Sequence, residues 1–319
     1  MANANGWGDG ASNNNIGWGK GADNAIGWGD IHADSYAGLT DIVGVAAFTG
    51  LLDTYTGAAA AYSLRLLRTA YSGNCIRVRR SSDNAEQDFG FVSNDLDTAS
   101  LLTFCGVGNG FVTTWYDQSG NANNIIRTVA TQQPKIVDSG SVFTKGLKPC
   151  LDFDGANDQL ALNAALTTIA SGNEFSIFNV HSSDLSNTLK TLWSNSISGS
   201  NNQIRSFADT RTSSPLNWFL SNSSSTGFSS TLSTVRNNTD QRLQVSVMDS
   251  GNVMRGFDNG ATGGTATYTG TYANADLLIG NGANGALNGT VQEFIIFDSN
   301  QLSNRTGIES NINTFYTIY

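Results

Sequence analysis

The sequence predicts an all-β sandwich led by an extended Gly/Trp-rich arm. From about residue 150 onward, short β-rich segments follow one another, each bounded by Gly, Asn, Asp or Ser. The 319 residues include 35 glycines and only 3 prolines, and 13% are charged, which suits a loop-rich β protein surfaced by small polar groups. Ahead of this, GWG recurs at 6–8, 17–19 and 27–29 in a stretch with little else to bury.

The arm is placed at 1–45 and the sandwich at 46–319. The arm reads GWGDGASNNNI, GWGKGADNAI and GWGDIHADSYAGLTDIVG, a repeat of 11 and then 10 residues. Glycine on both sides of each tryptophan costs a helix about 1 kcal/mol apiece, so an extended path with turns is expected. So short a segment builds no core of its own. Trp7, Trp18 and Trp28, with Ile16 and Ile26, are therefore expected to dock on something already folded, either this chain's own domain or another protein.

A helical elaboration is expected over about 55–130. AAAAYSLRLLRTAY sets Ala61, Leu64 and Leu67 on one helical stripe, stopped by Gly73. IRVRR alternates as a half-buried strand does, with Ile76 and Val78 on one face. LDTASLLTFCG predicts a short helix, Asp97 as N-cap and Gly106 as stop. FVTTWYDQSGNANN predicts a strand ending in a polar turn. LDFDG, EFSIFNVHS, TLWSNS, IRSFA, LNWFLS, RLQVSVM, NVMRGFD, DLLIGNG and GTVQEFIIFD follow as strands, with MDSGNVM as a hairpin turn. QLSNRTGIESNINTFY closes as a helix with Ile308, Ile312 and Phe315 on one face.

A net charge of −9 argues against nucleic acid, which needs a concentrated basic face. Arg65, Arg68, Arg77, Arg79 and Arg80 cluster, but Asp83, Glu86 and Asp88 follow at once and predict an internally paired face. No apolar run is long enough to span a bilayer, and MANANGWG has no signal-peptide character, so neither membrane nor Sec export is expected. Cys75, Cys105 and Cys150 lack metal-ligand spacing and read as buried thiols. His32 and His181 are too few and too far apart to support a metal site or a Ser-His-Asp triad.

LDFDGANDQLAL at 151–162, LLIGNGANGALNGTVQEFIIFDSNQLS at 277–303 and the closing helix resemble concanavalin A-like (laminin G-like) jelly-roll domains. AYSLRLLRTAYSGNCIRVRRSSDNAEQDFGF and TTWYDQSGNANN resemble the N-terminal part of the α-L-arabinofuranosidase B catalytic domain, YDQSGN at 116–121 being the most specific piece. That resemblance implies a retaining glycosidase, whose acid and nucleophile carboxylates face each other across about 5 Å. Glu174, Glu293, Asp152 and Asp154 place carboxyls at or beside strands, and the sequence matches none of them to a catalytic role. The GWG repeat ahead of a sandwich also resembles tailed-bacteriophage proteins. The leading expectation is accordingly a non-enzymatic virion protein (tail fibre, appendage or head-surface component), anchored by its arm to other virion proteins and to copies of itself, three around an axis. The sandwich would then be displayed to host surface glycans. The alternative is a glycoside hydrolase acting on host polysaccharide.

For glycan contact the candidates are Trp115, Tyr116, Asp117, Asn121 and Asn123, where an aromatic pair precedes short polar side chains on one loop. A strand-capping polar turn is the competing reading of the same residues. No cofactor is expected. Asp and Asn oxygens in DFDGAND at 152–158 are of the type that ligates Ca²⁺, but one such turn falls short of the six or more ligands calcium takes.

Overall fold

A computed structural model of the protein describes residues 47–169, 174–184, 188–195, 204–209, 217–221, 227–231, 240–268, 275–282 and 285–319. The arm, with Trp7, Ile16, Trp18, Ile26 and Trp28, lies outside the described residues, as does His32. The chain divides into two units, Met1–Phe48 and Thr49–Tyr319, and the architecture below is that of the second.

Its main strands in chain order are β1 (Ala58–Ser63), β2 (Ile76–Arg80), β3 (Glu86–Phe89), β4 (Gly110–Trp115), β5 (Lys135–Asp138) and β6 (Leu151–Asp154). Next come β7 (Leu160–Ala165), β8 (Phe175–Ser183), β9 (Leu189–Ser194), β10 (Arg205–Asp209), β11 (Asn217–Ser221) and β12 (Gly227–Thr231). The last are β13 (Arg242–Met248), β14 (Val253–Asp258), β15 (Ala261–Thr267), β16 (Asp276–Ile279) and β17 (Asn288–Phe297). The helices used below are α1 (Leu51–Thr54), α2 (Thr98–Cys105) and α3 (Arg305–Tyr316).

The result is a mostly β, antiparallel sandwich. β17 is the spine of one layer. It pairs with β8 along one edge; along the other it pairs with β6 at its start and with β1 at its end. That layer continues from β8 through β13 and β14 to β15. The second layer runs β3–β2–β4, passes through the short strand Ile125–Ile126 to β7, and goes on through β16, β9, β10 and β11 to β12. At one flank β6, β5 and β4 pair in turn and join the layers.

Between the layers lies the larger apolar core. Tyr62 of β1 packs on Trp115 of β4 at 5.8 Å between ring centroids, and Phe175 of β8 meets Trp193 of β9 edge-on at 6.2 Å. Each fully buried large side chain contributes about 1.5–3 kcal/mol from area removed from water. A second core covers the opposite face of the β17 layer, where Ala61, Phe178, Val245 and Ile295 lie under Leu51 of α1 and Ile308, Ile312 and Tyr316 of α3. β1 and β17 are therefore buried on both faces, and their sequences run apolar without clean alternation.

This double burial corrects the reading of 58–71. The expected helix is β1 followed by turns; Ala60 and Tyr62 face one core while Ala58 and Ala61 face the other. Of the helical elaboration expected over about 55–130, α2 is the one α-helix among the described residues. Its start and stop match the sequence: Asp97 accepts the Ser100 N–H at 3.0 Å, and Gly106 ends it at φ +58°.

Candidate functional site

Strand β1 has β17 on one edge only. Along its other edge runs the loop after β4, Tyr116–Asn124, which satisfies the backbone groups that a neighbouring strand would otherwise take. Asp117 Oδ1 accepts the N–H groups of Ala61 and Ser119, both at 2.8 Å, and Oδ2 accepts the Ser119 hydroxyl (2.7 Å) and the Asn123 N–H (3.0 Å). Gln118 accepts the Leu67 N–H at 2.8 Å and donates to the carbonyls of Ser63 and Arg65, both at 3.0 Å. Asn121 and Asn123 donate their side-chain amides to Ala58 and Ala59 carbonyls. The YDQSGN string is thus a polar clamp for one strand edge.

The structure brings Asp117, Asn121 and Asn123 together on that clamp, but Trp115 goes elsewhere. Its ring is fully buried against Tyr62, leaving no face on which a sugar can stack. Tyr116 turns outward and donates its hydroxyl to Asp88 at 2.7 Å. Asp88 and Glu86 also hold Arg77, at 3.0 and 2.7 Å, and Asp83 holds Arg80 at 2.7 Å, so much of the arginine cluster is internally paired.

Beside the clamp is a cavity of about 390 Å³, lined by Leu52, Gly57, Ala59, Arg68, Ser119, Asn121 and Asp298 among others. Asn121 is the sequence-predicted residue that reaches it. Arg68 and Asp298 were missed, because nothing local distinguishes Arg68 in RLLR, and an aspartate after FIIF marks only a strand end.

Several buried carboxylates are already engaged. Glu293 is fully buried on β17; it takes a two-pronged ion pair from Arg65 (2.8 and 3.0 Å) and the Ser63 hydroxyl (2.7 Å), with the Tyr316 hydroxyl of α3 at 3.3 Å. Glu309 pairs with Arg305 and Asp258 with Arg242. The Arg65–Glu293 pair joins residues 228 apart, which no local signal reveals. In the DFDGAND turn, Asp154 Oδ1 accepts the Ala156 and Asn157 N–H groups, and Asp158 Oδ2 accepts the Asp154 N–H at 3.0 Å. Burial, reinforced by the Asp154 and Asp152 charges, pushes the Asp158 carboxyl up to about 7. Burial also raises Asp152, with Lys135 opposing the rise and Asp138 and Asp154 adding to it. Glu174 stands half-buried at the start of β8, and His181 is buried within that strand. All three cysteines are free and buried, and burial pushes the Cys150 thiol up to about 12. Among the described residues no group of three His, Cys, Asp or Glu is placed to hold a metal ion, and no helix is long and apolar enough to cross a membrane.

Comparison with known proteins falls on this same frame. The family model described as α-L-arabinofuranosidase B, catalytic, matches residues 52–146, the stretch holding β1, the clamp and β5. A solved GH54 α-L-arabinofuranosidase soaked with a cyclic sulfate inhibitor superposes with a TM-score of 0.61 at 14% identity, over 82% of this chain and 63% of that one. An arabinofuranosidase complexed with arabinofuranosyl-α-1,2-xylobiose gives 0.61 at 15% identity, over 83% and 64%. The chain thus spans just under two thirds of these neighbours, and at such identity the likeness is one of fold. No curated protein matches the chain. These findings overturn the expectation of a bacteriophage structural protein displaying a lectin-like sandwich: the family model and the two solved neighbours above point to an arabinofuranosidase-like glycoside hydrolase fold instead.

Proposed function

We propose that the sandwich is a glycoside hydrolase domain of the arabinofuranosidase type, with a concanavalin A-like jelly-roll topology, releasing arabinofuranosyl residues from an oligo- or polysaccharide. One observation carries this reading. The segment that matches the arabinofuranosidase B model contains the clamp along β1, and the rest of the described sandwich continues into the fold of solved arabinofuranosidases. The fold likeness alone would be analogy, since one fold serves many activities. The sequence-level family match over residues 52–146 supports this chemistry over the fold's other activities.

The reaction passes the arabinofuranosyl group from its linkage oxygen to water. In a retaining enzyme the two carboxyl groups stand about 5 Å apart: one protonates the leaving oxygen while the other attacks the anomeric carbon to form a glycosyl ester, and water activated by the first then breaks that ester and frees the arabinose. Glu293, Asp117, Asp258 and Glu309 are committed to the fold by the bonds described above, so the reacting pair comes from other carboxylates.

The test uses the full chain with 4-nitrophenyl α-L-arabinofuranoside and an arabinofuranosyl xylo-oligosaccharide. Release of 4-nitrophenol and arabinose is expected. An arabinofuranose-configured cyclic sulfate, an electrophile that esterifies a nucleophilic carboxylate, is expected to abolish release and add its mass to one carboxylate-bearing peptide. Absence of both release and labelling would sink the hydrolase reading.

A further inference from the structure

The loop covering β1 commits most of its hydrogen-bonding capacity to the chain itself, but three side chains beside it do not. Arg68 donates from Nη1 to the Ser119 carbonyl at 2.8 Å; this fixes the guanidinium plane and leaves Nε and Nη2 unengaged among the described residues. A side chain at Gly120 would begin 2.5 Å from that Nη1, and the φ of +98° there also favours glycine, so glycine at 120 leaves room for the guanidinium where it lies. Asn121 donates through Nδ2 to Ala58 and Ala59, which orients its Oδ1 as an unengaged acceptor. Asp298 follows β17 directly and is exposed, with no hydrogen bond or ion pair among the described residues. All three line the cavity of about 390 Å³, within the roughly 300–1,000 Å³ of small-molecule sites.

We propose that this cavity is a binding subsite for a neutral sugar ring. A guanidinium only donates and a carboxylate or amide oxygen only accepts, whereas each hydroxyl of a vicinal diol does both; the set is complementary to such a diol. Leu52, Ala58 and Ala59 supply the apolar part of the lining, against which the C–H face of the ring would rest. Charge selects against ionic guests, since an anion meets Asp298 on a chain of net charge −9 and a cation meets Arg68. One carboxylate lines the cavity where glycoside hydrolysis needs two, so the cavity binds without cleaving, and the inference does not depend on the hydrolase reading.

Affinity electrophoresis of the full chain tests this, in gels containing soluble neutral arabinoxylan, polygalacturonate or no polymer. Arabinoxylan alone is expected to slow the wild type. Asp298→Ala is expected to weaken that retention about fivefold or more, the order of one lost hydrogen bond, with an unchanged unfolding midpoint. Asp298→Asn, which keeps an acceptor, is expected to retain most of it. A wild type unaffected by arabinoxylan, equal slowing by polygalacturonate, or an Asp298→Ala variant slowed as much as wild type each overturns the proposal. Arabinose release is read separately on the wild type: its absence strikes the hydrolase reading, and only the binding contrasts strike this one.

Discussion

Asp158 shows how one carboxyl can set the pH response of this fold. It is 6% exposed, closes its turn onto the Asp154 N–H, and is pushed up to about 7 from an ordinary 3.8. A carboxyl raised in the folded state stabilises fully below its unfolded value, and that contribution is lost as pH climbs from about 4 through 7. The wild type is therefore expected to be less stable at pH 8 than at pH 5. Asp158→Asn keeps an acceptor for the Asp154 N–H and should remove about 2 kcal/mol of that difference, after discounting for relaxation; urea unfolding at the two pH values measures it. At this scale the sequence is half legible. The Asp/Asn-rich turn shows in DFDGAND, but which carboxyl is buried depends on neighbours in the fold. Likewise YDQSGN is visible as a polar turn, while the β1 edge it clamps lies some 55 residues earlier, as in the Gln118 to Ser63 bond.

Among the elements, β1 and α3 are tied to β17 by one buried charge pair. Arg65, just past β1, holds Glu293 of β17, and Tyr316 and Asn311 of α3 close over them. Phe315 lies under the Arg65 guanidinium at 4.8 Å. Glu293→Gln leaves the Arg65 charge buried without its partner and is expected to cost about 3–5 kcal/mol, the range for one half of a buried pair. An Arg65→Met, Glu293→Leu double variant should recover much of that loss, as read by denaturant midpoints. The elements the sequence shows are those with one buried face: IRVRR alternates, Asp97 and Gly106 bracket α2, and Ile308 and Ile312 mark α3. β1 misleads because both its faces are covered; its alanines and Leu64 then fall by accident into a helical stripe that pairing with β17 overrides.

At the scale of the whole molecule, the two cores found among the described residues draw on residues 51–316. Deleting residues 1–45 is accordingly expected to leave a cooperatively unfolding sandwich, its midpoint within about 4 °C of the full chain, a shift of roughly 1 kcal/mol or less for a domain of this size. Loss of cooperative unfolding would instead make the arm part of the fold. The all-β class was legible from strand density and turn composition; the partner of each strand was not, because β17 gathers β1, β6 and β8 from three distant parts of the chain. The likeness to arabinofuranosidases was legible in AYSLRLLRTAYSGNCIRVRRSSDNAEQDFGF and TTWYDQSGNANN, most specifically in YDQSGN, while the aromatic repeat pointed toward particle assembly. The clamp itself has a further consequence. It is a removable cover over a row of strand-forming amides, so a protease cut between Ser119 and Asn124 would unmask a template able to recruit the same segment from other molecules. Nicked protein should grow into ordered polymers that the intact protein resists.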